Sequence, residues 1–101
     1  MFIYNTTIKI DNDIEDEWSK WIRETFITET INTGLFYDHR FFKLLDQDER
    51  EGKTFIIQFY SNDRRSCDDY TANQSKNFEK MMADKWGDKF IVFQSLLESV
   101  Q

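Results

Sequence analysis

Residues 53–61 read KTFIIQFYS, and large apolar side chains fall on both parities: Phe55, Ile57 and Phe59 on one, Ile56 and Tyr60 on the other. Residues 89–100 repeat the pattern, with Ile91, Phe93 and Leu97 set against Phe90, Val92 and Leu96. So does the segment 35–45, where Phe36, Phe42 and Leu44 oppose Leu35, Tyr37, Phe41 and Leu45. A strand that meets water on one side alternates cleanly, apolar inward and polar outward. These three do not. Any sheet they build needs a cover on both faces, and a chain of 101 residues has room for only one core.

The cover available within the chain is two helical regions. Residues 2–10 alternate as a first strand, with Phe2, Tyr4, Thr6, Ile8 and Ile10 on one side. Asp13 is placed to cap a helix whose first turn carries Glu15, Asp16 and Glu17, and Ile14, Trp18, Trp21, Ile22 and Ile31 continue at helical spacing. Gly34 stands where a left-handed C-terminal residue is wanted. A second strand over about Leu35 to Leu45 and a third over 53–61 pair as a hairpin through the polar connection DQDEREG. Ser61, Asn62 and Asp63 offer caps for the second helical region. There Cys67, Tyr70, Gln74, Phe78, Met81, Met82 and Trp86 share a face, with a break near Asn73–Ser75. A last strand covers 89–100.

The order strand, helix, strand, strand, helix, strand predicts one α+β domain over residues 1–101. It is the ferredoxin-like βαββαβ arrangement, an antiparallel sheet with both helical regions on one face. The other face is left bare, and no residues remain to build a cover for it. A second copy laying its sheet against the first meets the requirement, so a homodimer is expected.

Composition narrows the partners. The net charge of −6 and the scatter of the basic residues argue against nucleic acid, whose affinity comes from neutralised phosphates. The opening MFIYNT approximates the first-strand signature of an RNA-recognition motif. The matching third-strand signature fails at Glu51, Lys53 and Gln58. No apolar run approaches the ~18 residues of a membrane span, and MFIYNTTIKI lacks the basic start and apolar core of a signal peptide. A single cysteine, Cys67, leaves no internal disulfide and no thiolate metal site. The expectation is a cytoplasmic protein without nucleic acid, membrane, metal or cofactor.

The stretch LFYDHRFF holds the only histidine, His39, between Asp38 and Arg40. On a strand Asp38 and Arg40 share one face and His39 takes the other, so the three form no single cluster. A structural or interface role for His39 is the simpler reading. The DQDEREG connection has Glu51 and Ile57 where a calcium loop needs its glycine and its glutamate, so it reads as a solvated hairpin. More informative are the neutral polar residues Asn5, Thr7, Gln58, Tyr60 and Gln94, whose parity is expected to bring them to the bare face. Amides in an otherwise apolar layer need partners. They either set dimer register or grip a polar ligand between the sheets. The candidate ligand-binding set is therefore Asn5, Gln58, Tyr60 and Gln94, with His39 as an outlying member.

Tyr4-Asn5, Thr33-Gly34-Leu35-Phe36, Gln58-Phe59, Tyr70 and the closing GDKFIVFQSLLE of residues 87–98 together resemble a bacterial family, domain of unknown function 4286, nearly end to end. The resemblance implies a dimeric α+β barrel and no assigned activity. The wider class is similar to antibiotic-biosynthesis monooxygenases and haem-degrading oxygenases, whose clefts lie between sheet and helices. Haem-degrading members use a first-strand Asn, for which Asn5 stands, and a second-helix His. This chain has Gln74 in the latter region and no histidine there.

The resulting expectation is a homodimeric protein that binds a small polar or aromatic molecule and has no demonstrable catalytic machinery. The alternative is a cofactor-independent monooxygenase or isomerase of the dimeric barrel type. In it Asn5 and Gln58 would polarise a carbonyl while His39 or Tyr70 moves a proton.

Overall fold

The computed structural model describes residues 1–101. Four strands, β1 (Phe2–Ile10), β2 (Asp38–Lys43), β3 (Lys53–Ser61) and β4 (Phe90–Glu98), form one antiparallel sheet in the order β2-β3-β1-β4. Between β1 and β2 run α1 (Glu15–Trp21), a π-helical turn (Ile22–Phe26) and α2 (Ile27–Asn32). Between β3 and β4 run α3 (Arg64–Asn73) and α4 (Ser75–Trp86). This is the ferredoxin-like arrangement, and the helices all lie on one face.

Register explains the core. Tyr4, Thr6, Ile8 and Ile10 of β1 stand opposite Phe59, Ile57, Phe55 and Lys53 of β3, and the first three of those partners are buried with them. Trp18, Ile22 and Phe26 descend onto this layer from one helical region, and Cys67, Tyr70, Phe78 and Met82 from the other. Aromatic rings fill the middle. Phe36 stacks on Phe59 at 5.3 Å, Phe26 tilts against Phe78 at 4.3 Å, and Tyr4 meets Tyr70 edge-on at 4.7 Å. Such pairs add about 0.5–1.5 kcal/mol each beyond the area they bury.

Three features depart from the sequence expectation. Strand β2 is shorter than 35–45, because Phe36 turns inward and is buried against Phe59 and Tyr70. The ladder bonds from the Tyr37 N–H to the Tyr60 carbonyl and from the Leu44 N–H to the Thr54 carbonyl frame the shortened strand. Asp13 does not cap α1. It lies inside a short 3₁₀ turn (Asn12–Ile14), and its carboxylate accepts from Lys89 Nζ at 2.5 Å, tying the start of the first helical region to the start of β4. The π-turn was not expected either. Asp63 caps α3 as expected, accepting from the Arg65 N–H at 2.9 Å, the helix breaks at Gln74, and Gly34 takes φ +76°.

Gly52 closes the β2–β3 connection against β1. It is buried, and a Cβ there would lie 2.4 Å from the Ile10 carbonyl oxygen, a backbone atom that cannot swing aside. Gly52→Ala is therefore expected to cost roughly 1–3 kcal/mol, as overpacking does. The change is readable as a lower urea midpoint at unchanged slope.

The face away from the helices is bare. Phe93 is 69 % exposed, Ile91 58 %, Phe42 44 % and Leu97 41 %. These side chains come from the parities that have no helix above them.

Candidate functional site

The bare face is ordered in cross-strand rows. One contains Asp38, Tyr60, Ile3 and Leu97, and the next Arg40, Gln58, Asn5 and Ser95. A third contains Phe42, Ile56, Thr7 and Phe93, and Thr54, Lys9 and Ile91 follow. The row across the middle of the sheet is polar throughout, and its neighbours carry Ile3 and Leu97 on one side and Phe42, Ile56 and Phe93 on the other.

Hydrogen bonds run along this band in one direction. The Tyr60 hydroxyl donates to Gln58 Oε1 at 2.6 Å, Gln58 Nε2 donates to Asn5 Oδ1 at 3.1 Å, and Asn5 Nδ2 donates to Thr7 Oγ1 at 3.3 Å. Each residue sits on a central strand, β1 or β3, where backbone pairing on both sides fixes it. At the β2 edge, Arg40 Nη1 meets Asp38 Oδ2 at 3.2 Å, and Asp38 Oδ1 also accepts from the His39 N–H. Partial burial raises the Tyr60 phenol above its ordinary pKa, and the Arg40 charge works against that rise. The phenol remains a donor at neutral pH.

The structure brings Asn5, Gln58 and Tyr60 together as expected, with Thr7, but separates them from Gln94 and His39. Gln94 pairs with Thr6, whose side chain is buried under the helices, so Gln94 also faces the helices. It borders a surface hollow of about 360 Å³ with Tyr4, Asp68, Thr71, Ser95 and Leu96. The expectation that Gln94 shares the bare face is corrected by this register. His39 pairs with Phe59 and points to the same helical side, its ring 6.4 Å from the phenylalanine. The constellation required for a carbonyl-polarising enzyme is therefore not assembled within one chain. Asn5 and Gln58 lie on one side of the sheet, and His39 and Tyr70 lie on the other.

A second polar group lies beneath the helices. Thr30 and Tyr70 are buried beside a cavity of about 50 Å³, also bordered by Phe26, Glu29, Thr33 and Gln74. Sequence reading missed Thr30, although a threonine four residues after Phe26 on a buried helical stripe is a usable signal. The π-turn widens the helix directly before this point, a common device near polar interior groups. The cavity has room for a few waters and falls well below the roughly 300–1,000 Å³ of a small-molecule pocket. Burial pushes the Tyr70 phenol up to about 12, and a side-chain hydrogen bond with Thr30 offsets part of that rise. Tyr70 therefore holds its proton at neutral pH.

The raised value has a stability consequence. Above pH ~10 the unfolded chain releases the phenolic proton while the folded one keeps it, so stability falls as pH climbs from 10 towards 12. The loss approaches about 3 kcal/mol over two pH units. Alkaline denaturation of Tyr70→Phe, followed by circular dichroism, is expected to lack this part of the decline.

No three His, Cys, Asp or Glu side chains converge as metal ligands, and no helix is long and apolar enough to cross a membrane.

Comparison with known proteins gives a family and a fold. The model of the family described as Domain of unknown function (DUF4286) matches residues 1–100, and the chain belongs to that family. No curated protein matches it. Among solved structures, a dimeric ferredoxin-like protein from an uncultured marine organism is 18 % identical, with a TM-score of 0.66 over 99 % of this chain and 95 % of the other. An ethyl tert-butyl ether D family protein from Bacillus halodurans is 12 % identical, with a TM-score of 0.66 over 99 % of this chain and 100 % of its own. An antibiotic biosynthesis monooxygenase is 17 % identical, with a TM-score of 0.65 over the whole of both chains. At these identities the likeness is one of fold.

Proposed function

Starting from a family with no assigned activity and from the bare sheet face, we propose that the protein is a homodimer whose sheets pack face to face. In this reading Asn5, Gln58 and Tyr60 form a polar band in the layer between them and bind a small molecule there. Residues 1–101 act as one domain. We place the protein in the bacterial cytoplasm.

The observation that carries the reading is the composition of the bare face. Large apolar side chains flank a hydrogen-bonded polar band, and a monomer rarely leaves such a patch in water. Charge supports the same partner. The chain carries −6 overall, yet Asp38, Arg40 and Lys9 are the only charged side chains in the rows described, so two acidic copies can meet here without acidic surfaces colliding. Four strands about 4.8 Å apart and about 25 Å long give roughly 500 Å² of projected face. Two such faces, with side-chain relief added, approach the lower end of a specific interface, about 1,200 Å². The marine structure described as dimeric shares this fold.

The monooxygenase or isomerase reading has less support. It needs a substrate cleft between sheet and helices with the proposed proton-moving groups in it; aromatic rings fill the middle of that space around a cavity of about 50 Å³, and the hollow of about 360 Å³ beside Gln94 is lined by neither His39 nor Tyr70. Isotope-filtered NMR on a mixture of labelled and unlabelled chains tests the proposed contact. Contacts between copies are expected at Ile3, Ile56, Phe93 and Leu97. Contacts confined to residues of α3 or α4 would place the partner elsewhere.

A further inference from the structure

The two edges of the sheet differ in how they are protected. Bonds from the Ser99 N–H to the Met1 carbonyl and from the Asp11 N–H to the Lys89 carbonyl set the phase of the β1–β4 ladder. Odd-numbered residues of β4 therefore bond inward to β1, while Phe90, Val92, Gln94, Leu96 and Glu98 turn their N–H and C=O groups outward. None of the loop and turn bonds reaches these five. β4 pairs with β1 over nine consecutive residues without a bulge, and it has no proline and no charge before Glu98. Short length, bulges, proline and charge are the usual devices that keep an edge from pairing. The opposite edge, β2, has two of them: it is six residues long, and it carries the Asp38–Arg40 and Lys43–Glu49 ion pairs. β4 is the open edge.

A recess lies beside it. On the helical side, the hollow of about 360 Å³ runs between α3 and the second half of β4, with Tyr4, Asp68, Thr71, Gln94 and Leu96 around it. Leu96 turns to the helical side with Tyr4 yet is 39 % exposed, so the helices stop short of this end of the strand. The charge at the rim is negative. Arg64 Nε stands 3.9 Å from the Asp68 carboxylate, beyond hydrogen-bond distance, and both side chains are exposed, so the pair is loose. Glu79 lies close enough for its charge to act on the Tyr4 phenol. Thr71 donates its hydroxyl proton to the Cys67 carbonyl at 2.9 Å and keeps its oxygen as an acceptor.

We infer that the open edge of β4 receives an extended segment of a partner protein, which adds a fifth strand and places a lysine or arginine in the hollow against Asp68. Neighbouring strands lie about 4.8 Å apart, a gap that a long basic side chain crosses. Residues on either side of it point to the other face, beside Ile91, Phe93 and Leu97, where apolar side chains fit. Backbone bonds supply the affinity of such an added strand, and a side-chain pocket supplies its selectivity. A second copy of β4 is a poor occupant, because FIVFQSLLE offers no cation and brings Glu98 to an acidic rim. The net charge of −6 favours a basic partner as well. This edge is distinct from the bare face, and its use does not rest on the homodimer.

The test uses the full chain and an acetylated, amidated probe peptide reading valine, threonine, valine, lysine, valine, threonine, valine. One counterpart carries glutamate in place of lysine, and another carries N-methyl groups on the lysine and its two neighbouring valines. Amide hydrogen exchange followed by NMR is the readout. Without peptide, the Val92, Gln94 and Leu96 amides are expected to exchange freely. The lysine peptide is expected to protect them with a Kd of about 1 mM or tighter. The glutamate peptide is expected to bind at least about fivefold more weakly, and the methylated one to give no protection. Asp68→Asn, a change at an exposed side chain, is expected to weaken the lysine peptide about two- to fivefold, the size of a partly exposed ion pair. The inference is overturned if the lysine peptide leaves these amides unprotected or protects His39, Phe41 and Lys43 of β2 instead. Equal binding of either counterpart, or unchanged binding in Asp68→Asn, overturns it too. Protection already present without peptide would assign the edge to a second copy and overturn it likewise.

Discussion

Phe93→Asp is expected to yield a folded single chain at concentrations where the parent is a dimer. The side chain is 69 % exposed on β4 and touches no part of the helix-side core, so a carboxylate there is solvated in the isolated chain and folding is undisturbed. In the proposed dimer the same carboxylate is trapped between two apolar faces. An uncompensated buried charge costs about 3–5 kcal/mol, which weakens association by two to four orders of magnitude. Size-exclusion chromatography with light scattering reads the mass, and circular dichroism confirms the fold. Lys80→Asp, a charge reversal on the exposed side of α4, serves as the control and is expected to leave assembly unchanged.

The second large effect concerns folding. Phe59 is fully buried on β3, with the rings of Phe36 at 5.3 Å, Phe26 at 6.0 Å and Tyr70 at 6.3 Å, so it links both helical regions to the sheet. Phe59→Ala removes the ring and leaves a cavity that these neighbours cannot close, at a cost of about 3–5 kcal/mol. Against a total stability on the order of 5–15 kcal/mol that is a large fraction. In a domain of this size it corresponds to a drop in Tm of roughly 15–35 °C, measurable by scanning calorimetry. Phe42→Ala on the bare face is expected to cost the isolated chain little, because Phe42 is already 44 % exposed there. The contrast between two phenylalanines separates the core the chain builds for itself from the apolar face its helices leave bare.

Much of this architecture is legible in the sequence because local signals agree with one another. Gly34 and the Ser61–Asp63 cap fix where helices end and begin, and the lack of clean alternation in the strands announces large apolar side chains on both faces of the sheet. What was not legible depends on hydrogen-bond register. When Phe90, Val92 and Leu96 rival Ile91, Phe93 and Leu97, apolarity gives no parity, and Gln94 can be assigned to either side. Only its pairing with Thr6 decides. Tyr60, Gln58 and Asn5 were easier, since Phe59 and Ile57 compete strongly for the core. Strand β2 begins later than its sequence suggests, because Phe36 has the character of a strand residue but the core needs its ring against Phe59. The Thr30–Tyr70 group depends on contact between two distant helices, which no local pattern specifies.

In the proposed assembly a second copy covers the sheet face away from the helices. Sedimentation equilibrium of the unmodified protein at micromolar concentration reads the subunit count. A species of twice the 12.3 kDa chain mass is expected. A stable, well-folded species at the mass of one chain would contradict it.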